Sequence, residues 1–385
     1  MLPVHQPDPF QPGADIGQTS TLRTRLSRKL GVAYPIFGFS HSAAVVAAIC
    51  NCGGFGVLGA TRHTPDEITR ELAWIRRAVG GRPFGVNLVL PDGMPEDNDR
   101  AAIEAQLPPG HRSFVAGIYE KYAVPAATKP GERSKFVRSN AMAGQQLEAV
   151  LRSDVNLLAC GIGSPVEVIE QAKAMGKLVL ALIGSPKHAQ RALAKPIDIL
   201  VAQGYDAGAH TGTIGTFSLV PQIVDMAGDV PVLAAGGVAT GRHIHAALAM
   251  GAQGVWIGTA WLTTAEHEMP DVLRRKLLGA GSDDTVISRA DRGKTLRQIR
   301  SAWSEEWAAP DAPHPLRMPL QDILVGDLLG AIDEHRIAPL MHSPAGQSIA
   351  YFHQVSTVAE VMHGLVAQAL DSVHQLGRSL GDTSA

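Results

Sequence analysis

The chain has 385 residues, a formal net charge of −2, 45% hydrophobic and 18% charged residues, and 40 glycines. This composition is typical of a globular, rather apolar protein with many tight turns, and the length allows one large α/β domain with appendages or two domains. No long run of Lys and Arg is present, so the chain is not expected to bind nucleic acid or an anionic membrane surface.

The cysteines and the first residues indicate the compartment. Cys50, Cys52 and Cys160 do not form a disulfide framework, and Cys50 and Cys52 lack a second pair to complete a zinc site, so we expect no metal. There is no apolar signal core, and no stretch reaches the roughly 18 apolar residues of a spanning helix. We therefore expect a reduced, cytoplasmic protein.

Residues 1–20 are rich in Pro, Gln, Asp and Gly and lack hydrophobic periodicity, which predicts a flexible arm. After them, short apolar runs alternate with helical patterns. The predicted strands are 34–39, 54–58, 84–90, 156–160, 178–183, 199–202, 230–234 and 254–257. Ser-Pro or Thr-Pro pairs at 64–65, 164–165 and 185–186 predict helix starts just beyond three of these strands, with Ser or Thr as the cap.

Two regions break the alternation. Residues 91–141 hold many prolines, charges and glycines around a helical patch at 114–122, and this length favours a lid over an ordinary loop. Residues 270–385 read as helices at 272–278, 296–307, 320–331 and 355–370. These helices could form a cap on the main domain or the surface of a homodimer, and the sequence does not choose between them.

Eight strand–helix steps with nearly continuous apolar strands predict a closed TIM-type (β/α)8 barrel, with a doubly wound sheet as the alternative. The predicted organisation is an arm at 1–20, a barrel at 21–269 with an insertion at about 91–141, and a helical C-terminal cap or extension at 270–385. In such barrels the reactive groups lie where the strands run out into the following loops.

Glycine turns follow the last two predicted strands, at Gly236-Gly237 and at Gly258-Thr259. Exposed backbone N–H groups there, with helix amino termini, would hold a phosphate monoester without Lys or Arg. A phosphate-bearing cofactor is therefore expected. The loop at 203–212, QGYDAGAHTG, carries His210 in a glycine-rich setting that allows close approach to a ligand.

Four motifs in order resemble the nitronate monooxygenase (2-nitropropane dioxygenase) family. Residues 234–241 with 251–259 are similar to its FMN-phosphate segment, and 203–212 to its Q-G-x-E-A-G-G-H-x-G loop. Residues 53–59 and 83–88 match its second and third strands, so the likeness runs from about residue 22 to 264. The resemblance implies an FMN-dependent oxidoreductase.

The resemblance also implies roles for single residues. His210 would be the catalytic base or proton donor beside the flavin. The residues expected to contact FMN are Gly38, Phe39, Asn87, Gln203, Gly208, Ala235, Gly236, Gly237, Gly258 and Thr259. Cys160 would either touch the ring or be a buried structural thiol, and His41 would either contact the substrate or form the wall of the pocket.

Some residues depart from the family pattern. The segment 37–41 replaces a Q-A-P-M-like one, and Asp206 stands for Glu. Ala209 replaces a glycine, and Ala235 occupies a position where a serine often helps to bind phosphate. These changes are compatible with FMN binding, but they leave the identity of the substrate open.

Three functions remain open at this point. The first is oxidation of a small-molecule alkyl nitronate, with O2 reoxidising the flavin; a histidine can act there in either protonation state. The second is reduction of an enoyl or acyl-CoA-type double bond, or of a quinone, by NAD(P)H through the same flavin. The third is a barrel that binds a phosphorylated ligand without redox chemistry.

Overall fold

The computed structural model describes residues 22–90, 93–96, 99–131, 134–379 and 381, so the predicted arm lies outside the described residues. Eight parallel strands close into a barrel in chain order, each paired with its neighbours and β8 with β1, which confirms the TIM-type fold class. The strands are β1 (Ile36–Ser40), β2 (Phe55–Gly59), β3 (Gly85–Leu88), β4 (Leu157–Cys160), β5 (Leu178–Ile183), β6 (Ile199–Gln203), β7 (Val232–Ala235) and β8 (Gly254–Ile257).

Helices surround the barrel and build a second lobe above it. They are α1 (Arg25–Leu30), α2 (Ala43–Asn51), α3 (Pro65–Val79), α4 (Arg100–Glu104), α5 (Pro109–Lys121), α6 (Asn140–Leu151), α7 (Val166–Ala174), α8 (Pro186–Leu193), α9 (Thr216–Ala227), α10 (Gly241–Ala249), α11 (Asp271–Leu278), α12 (Ala302–Glu306), α13 (Leu320–Glu334) and α14 (Val358–Ser379). Within the described residues, no helix combines the length and the apolar character needed to cross a membrane.

The predicted helix starts are largely confirmed. The Thr64 and Ser185 side chains accept hydrogen bonds from the third residue of α3 and α8, and a proline follows each as the first helical residue. Each cap satisfies an amide that the helix cannot pair. At α7 the device differs, because Pro165 itself is the cap residue and no side chain caps the helix.

Alternation along the strands divides the buried side chains into two layers. Residues of one parity fill the barrel interior, among them Phe37, Phe55, Leu157, Val201 and Trp256. Residues of the other parity pack under the surrounding helices. Because successive side chains of a strand point to opposite faces, the layer that a strand residue joins shows which way its side chain points.

The last helix completes the barrel. Val358, Met362, Leu365 and Ala369 of α14 are buried in the same layer as the other barrel helices. The helix packs between α10 and α2, where an eighth barrel helix belongs. After β8 the chain thus leaves the barrel and returns only at α14.

The two excursions share a core of their own. Side chains from α5 pack with those of α11, α12 and α13, and the central ones include Ile118, Leu277, Trp303 and Leu328. Helix α4 lies against α13. We call residues 99–131 and 271–351 the cap lobe. We propose this division, a barrel closed by α14 and a cap lobe built from both excursions, in place of a boundary at residue 269.

The helix predicted at 296–307 is wrong. Residues Leu296–Ile299 form a strand, β10, that pairs antiparallel with β9 (Thr285–Ser288), and only Ala302–Glu306 is helical. Leu296 and Ile299 stand three residues apart, a spacing that suits a helix face. All four residues of β10 are buried and the strand pairs along its length with β9, so tertiary pairing overrides the local pattern.

Candidate active site

The carboxyl ends of the strands bring four of the predicted residues together inside the barrel. Phe39 packs on the interior layer and Ala235 belongs to it. Asn87 and Gln203 have strand neighbours in the outer layer, so their own side chains point inward. The Asn87 amide donates to Ala159 O at 2.9 Å, which fixes its orientation across β3 and β4.

Two other predicted residues face the helices. Cys160 belongs to the outer layer, is 1% exposed, and burial raises the pKa of its thiol to about 12, so it stays protonated. A Cβ added to Gly38 would lie 2.3 Å from Ile49 Cδ1. The strand packs so closely on α2 at this point that only glycine fits there. The Cys160 side chain therefore faces away from the predicted site residues inside the barrel.

The loop that carries His210 is held by the cap lobe. Ala209 and Arg297 of β10 exchange backbone hydrogen bonds of 3.0 and 2.8 Å. Ala209 has a φ of +61°, a conformation that favours glycine, and this pairing holds an alanine there. Gln203 adds an amide hydrogen bond of 2.6 Å to His210 O, so the main chain is fixed on both sides of the ring.

The imidazole of His210 has a defined proton arrangement. Its Nδ1 lies 2.8 Å from Thr295 O, and a carbonyl only accepts, so Nδ1 must carry a proton. Burial lowers the pKa of His210 to about 4, and the charges of Arg292 and Lys294 act in the same direction. At neutral pH the ring is therefore neutral, and Nε2 is the atom able to accept a proton.

His210 lines a cavity of about 330 Å³ together with the loop that joins β9 to β10. We call residues 289–295, RADRGKT, the basic loop. Arg289, Gly293, Lys294 and Thr295 from this loop form most of the wall. The basic loop follows no barrel strand, so the strand-end pattern of the sequence does not predict it; the signal that the sequence does carry is a cluster of charges around one glycine.

The glycine turn after β7 can form a phosphate cradle. Gly236 and Gly237 have φ values of +98° and +76°, which side chains disfavour. Among the described residues, none accepts a hydrogen bond from the amides of Gly237 or Gly258. A Cβ at Gly258 would meet nothing closer than 3.9 Å and one at Gly237 nothing closer than 3.5 Å, so space remains beside these two residues, whereas a Cβ at Gly236 would lie 2.7 Å from Thr216 Oγ1. These residues fit a bound phosphate monoester.

Backbone amides at the start of α10 already donate hydrogen bonds to protein side chains. Gly241 N donates to Gln368 Oε1 of α14 at 3.1 Å, and the Thr240 amide donates to His243 Nδ1 at 3.1 Å. These two amides at the start of α10 therefore donate to protein groups rather than to a ligand, whereas the amides of Gly237 and Gly258 are available to an anion. Asp206 plays a similar structural part, because its carboxylate accepts from Thr216 N, the first amide of α9.

A segment of the cap lobe reaches into the same region. Gly346 N donates to Thr259 Oγ1 at 2.9 Å. A Cβ on Gly208 would lie 2.8 Å from the Gly346 amide, so this glycine is required by the crossing of two backbones. Residues 345–347 were not predicted to take part in the site; Ala345 and Gly346 are the sequence signal of this close approach.

His41 lies at the mouth of the barrel. Its Nδ1 is 2.7 Å from Gly59 O, and its ring meets the edge of Phe39. Desolvation and the charge of Arg62 lower the pKa of His41. Because the side chain is exposed to solvent, the surrounding water limits this lowering. This placement agrees with a wall position and leaves a substrate contact open to test.

Known proteins match this chain over most of its length. The profile described as nitronate monooxygenase matches residues 21–368. A Mycobacterium tuberculosis protein named as a monooxygenase, Rv1533, is 41% identical over 373 residues, covering 92% of this chain and 98% of that protein. A Staphylococcus aureus protein named as a nitronate monooxygenase is 29% identical, covering 87% and 95%.

Solved structures share the fold of this chain. A nitroalkane oxidase from Streptomyces ansochromogenes superposes with a TM-score of 0.77 at 29% identity and covers 90% of this chain and 99% of its own. FabK from Thermotoga maritima, with a TM-score of 0.71, 24% identity and coverage of 92% and 99%, shares the fold. With its barrel, its glycine turns and its half-buried histidine, the chain belongs to the nitronate monooxygenase family and is an oxidoreductase of a flavin-dependent class.

Proposed function

We propose that this protein is an FMN-dependent monooxygenase that oxidises alkyl nitronates with O2. The observation that carries the proposal is the pairing of a neutral, oriented His210 with a cavity whose wall holds Arg289 and Lys294. A nitronate is a small anion, and cations beside a cavity raise the local concentration of anions. Family membership favours this oxidoreductase function over a barrel that only binds a phosphorylated ligand.

FMN is the flavin that the cradle favours. The open amides of Gly237 and Gly258, with Thr259, would hold its phosphate. Asn87, Gln203, Ala235 and Phe39 would line its ring system at the top of the barrel. When bound, the flavin accepts the electrons of the substrate and passes them to O2.

The chain's own groups prepare the substrate. Arg289 and Lys294 would attract the anion to the cavity beside His210. His210 Nε2 would take a proton from the carbon of a neutral nitroalkane, because it is the unprotonated nitrogen opposite the fixed Nδ1–H. A preformed nitronate does not need this step. The substrate partner is thus a small molecule. A homodimer and a cytoplasmic location stay predictions.

The electron donor is tested by anaerobic stopped-flow reduction of the flavin. We expect a nitronate to bleach the flavin band within turnover time, and NADH and NADPH to do so much more slowly. Readmission of O2 should restore the band. Fast reduction by NAD(P)H, with none by nitronates, would move the assignment to the reductase alternative, which keeps the same cradle and barrel.

The pH dependence of activity follows from the lowered pKa of His210. Since the neutral ring is the base, kcat/KM on a neutral nitroalkane should be flat above about pH 5 and fall below about pH 4. An ordinary histidine would instead give an acid limb near pH 6.5. An acid limb measured near pH 6.5 would contradict the partly desolvated, cation-flanked environment of His210. A preformed nitronate, which needs no deprotonation at carbon, should show a weaker limb.

A further inference from the structure

The basic loop is anchored from its far side by polar side chains buried in the cap lobe. Asp291 Oδ1 accepts from Trp303 Nε1 at 2.9 Å, and His342 Nε2 lies 3.1 Å from both carboxylate oxygens. The indole of Trp303 stacks on the imidazole of His342 with the planes 2° apart. All three residues are at most 7% exposed. We call Asp291, Trp303 and His342 the buried triad.

Hydrogen bonds engage both ring nitrogens of His342. His342 Nδ1 lies 3.0 Å from Leu340 O, which can only accept, and Nε2 faces the Asp291 carboxylate. One proton between Nε2 and the Asp291 carboxyl group therefore completes the hydrogen bonds of the ring. Buried polar groups cost stability unless they are hydrogen-bonded, and here Trp303 supplies a further hydrogen bond to the Asp291 carboxyl group.

Other contacts fix the backbone next to Asp291. Gln321, which is fully buried, donates to Ala290 O at 2.6 Å and accepts from Leu316 N at 2.8 Å. Gly293, with a φ of +69°, runs so close to Leu316 O that no side chain would fit. The basic loop is thus clamped by its main chain as well as through Asp291.

We propose that Asp291, held by Trp303 and His342, is a positioning residue for His210. It fixes the basic loop so that Thr295 O stays in place to accept from His210 Nδ1, and this selects the tautomer with Nε2 unprotonated. The inference rests on the proposed function only in treating His210 as the reacting imidazole. It places a carboxylate behind the histidine through a backbone carbonyl rather than in direct contact.

Sites of proton transfer tolerate only small displacements of the reacting group, which is why the position of the basic loop matters for His210. A proton-transfer group needs to be held close to its productive geometry by locked neighbours, and a shift of about 1 Å costs on the order of 10²-fold in rate. The 2.8 Å contact with Thr295 O is the only hydrogen bond of the His210 ring within the described residues. A loop free to move would therefore release the ring to rotate and change tautomer.

The test is nitrogen NMR of the flavin-loaded protein labelled with 15N in the histidine rings. The His210 signals are assigned by their absence in His210→Asn. In the native protein we expect the Nδ1–H tautomer at pH 7. In Asp291→Ala the Nε2–H form should become populated, and kcat should fall by roughly 10- to 100-fold with KM changed far less. Asp291→Asn, which keeps the hydrogen-bond acceptor, should restore most of the native signal.

Tyr122→Phe is the matched control. It removes a 2.6 Å hydrogen bond to Glu306 in the same lobe without touching the basic loop, so the tautomer should not change. Trp303→Phe removes one hydrogen bond to Asp291, keeps an aromatic ring, and should give a smaller change in the same direction as Asp291→Ala. This milder variant carries the test if Asp291→Ala does not fold.

A native tautomer in both Asp291→Ala and Trp303→Phe, or an equal change in Tyr122→Phe, would overturn the proposal. The NMR measurement does not depend on the substrate. If nitronates are not turned over but the tautomer still changes, the positioning role stands and the proposed function fails.

Discussion

Replacing His210 by Asn should lower turnover per bound flavin by about 10²–10⁴-fold, the usual contribution of a positioned acid or base. The asparagine keeps a polar side chain of moderate size, so the loop pairing of Ala209 with Arg297 should remain and the flavin should stay bound. The loss should be larger for a neutral nitroalkane than for a preformed nitronate, because only the former needs carbon deprotonation. That difference would separate base catalysis from electrostatic positioning.

The measurement is kcat per flavin in the purified variant, with His41→Asn as the control. His41 is also an imidazole near the mouth, yet its ring nitrogen meets Gly59 O at the rim of the barrel, so we expect a small effect there. Normal turnover in His210→Asn together with failure of His41→Asn would show that the other histidine is the reacting one. Rates that fall only in step with flavin content would point to a structural role.

Replacing Gly237 by Leu should yield largely colourless protein. Gly237 has a φ of +76°, so any side chain there is strained, by roughly 1–2 kcal/mol. Its Cβ would also project beside the open amides, where its nearest neighbour is Asp206 at 3.5 Å. A leucine would fill the space that the phosphate needs and turn the amides away from it.

The control for strain is Gly176→Leu. Gly176 has a similar φ of +71° with nothing within 4 Å of an added Cβ, and it lies in the turn between α7 and β5, at the opposite end of the barrel. We expect this variant to lose some stability and to keep its flavin. Flavin content comes from the absorbance of the purified proteins, and acid release with chromatography identifies the chromophore. Full occupancy in Gly237→Leu, or release of FAD from the native protein, would remove the phosphate assignment.

The barrel was predictable because its signals are local. Buried parallel strands are short apolar runs, and a cap such as Thr64 ahead of Pro65 marks a helix start without any distant partner. Glycine turns at 236–237 and 258 and the histidine loop are likewise read from adjacent residues. Since the ends of barrel strands always meet at one face, their order alone indicates which residues share a site.

Elements whose conformation depends on residues far away in the sequence are defined only in the folded chain. Residues 296–299 have a helical spacing, but β9 and the His210 loop pair with their backbone, so they form a strand. The packing of α14 between α10 and α2 closes the barrel across an excursion that no periodicity reveals.

The same holds for the setting of the catalytic candidate. His210 is evident in the sequence, whereas its partner Thr295 stands 85 positions further along the chain. The barrel, the glycine turns and the histidine can be read from the amino-acid sequence alone, because each is encoded within one turn or one strand. The tautomer, the lowered pKa and the cationic wall arise only when folding brings the basic loop beside the barrel, since hydrogen bonds and charges act through space.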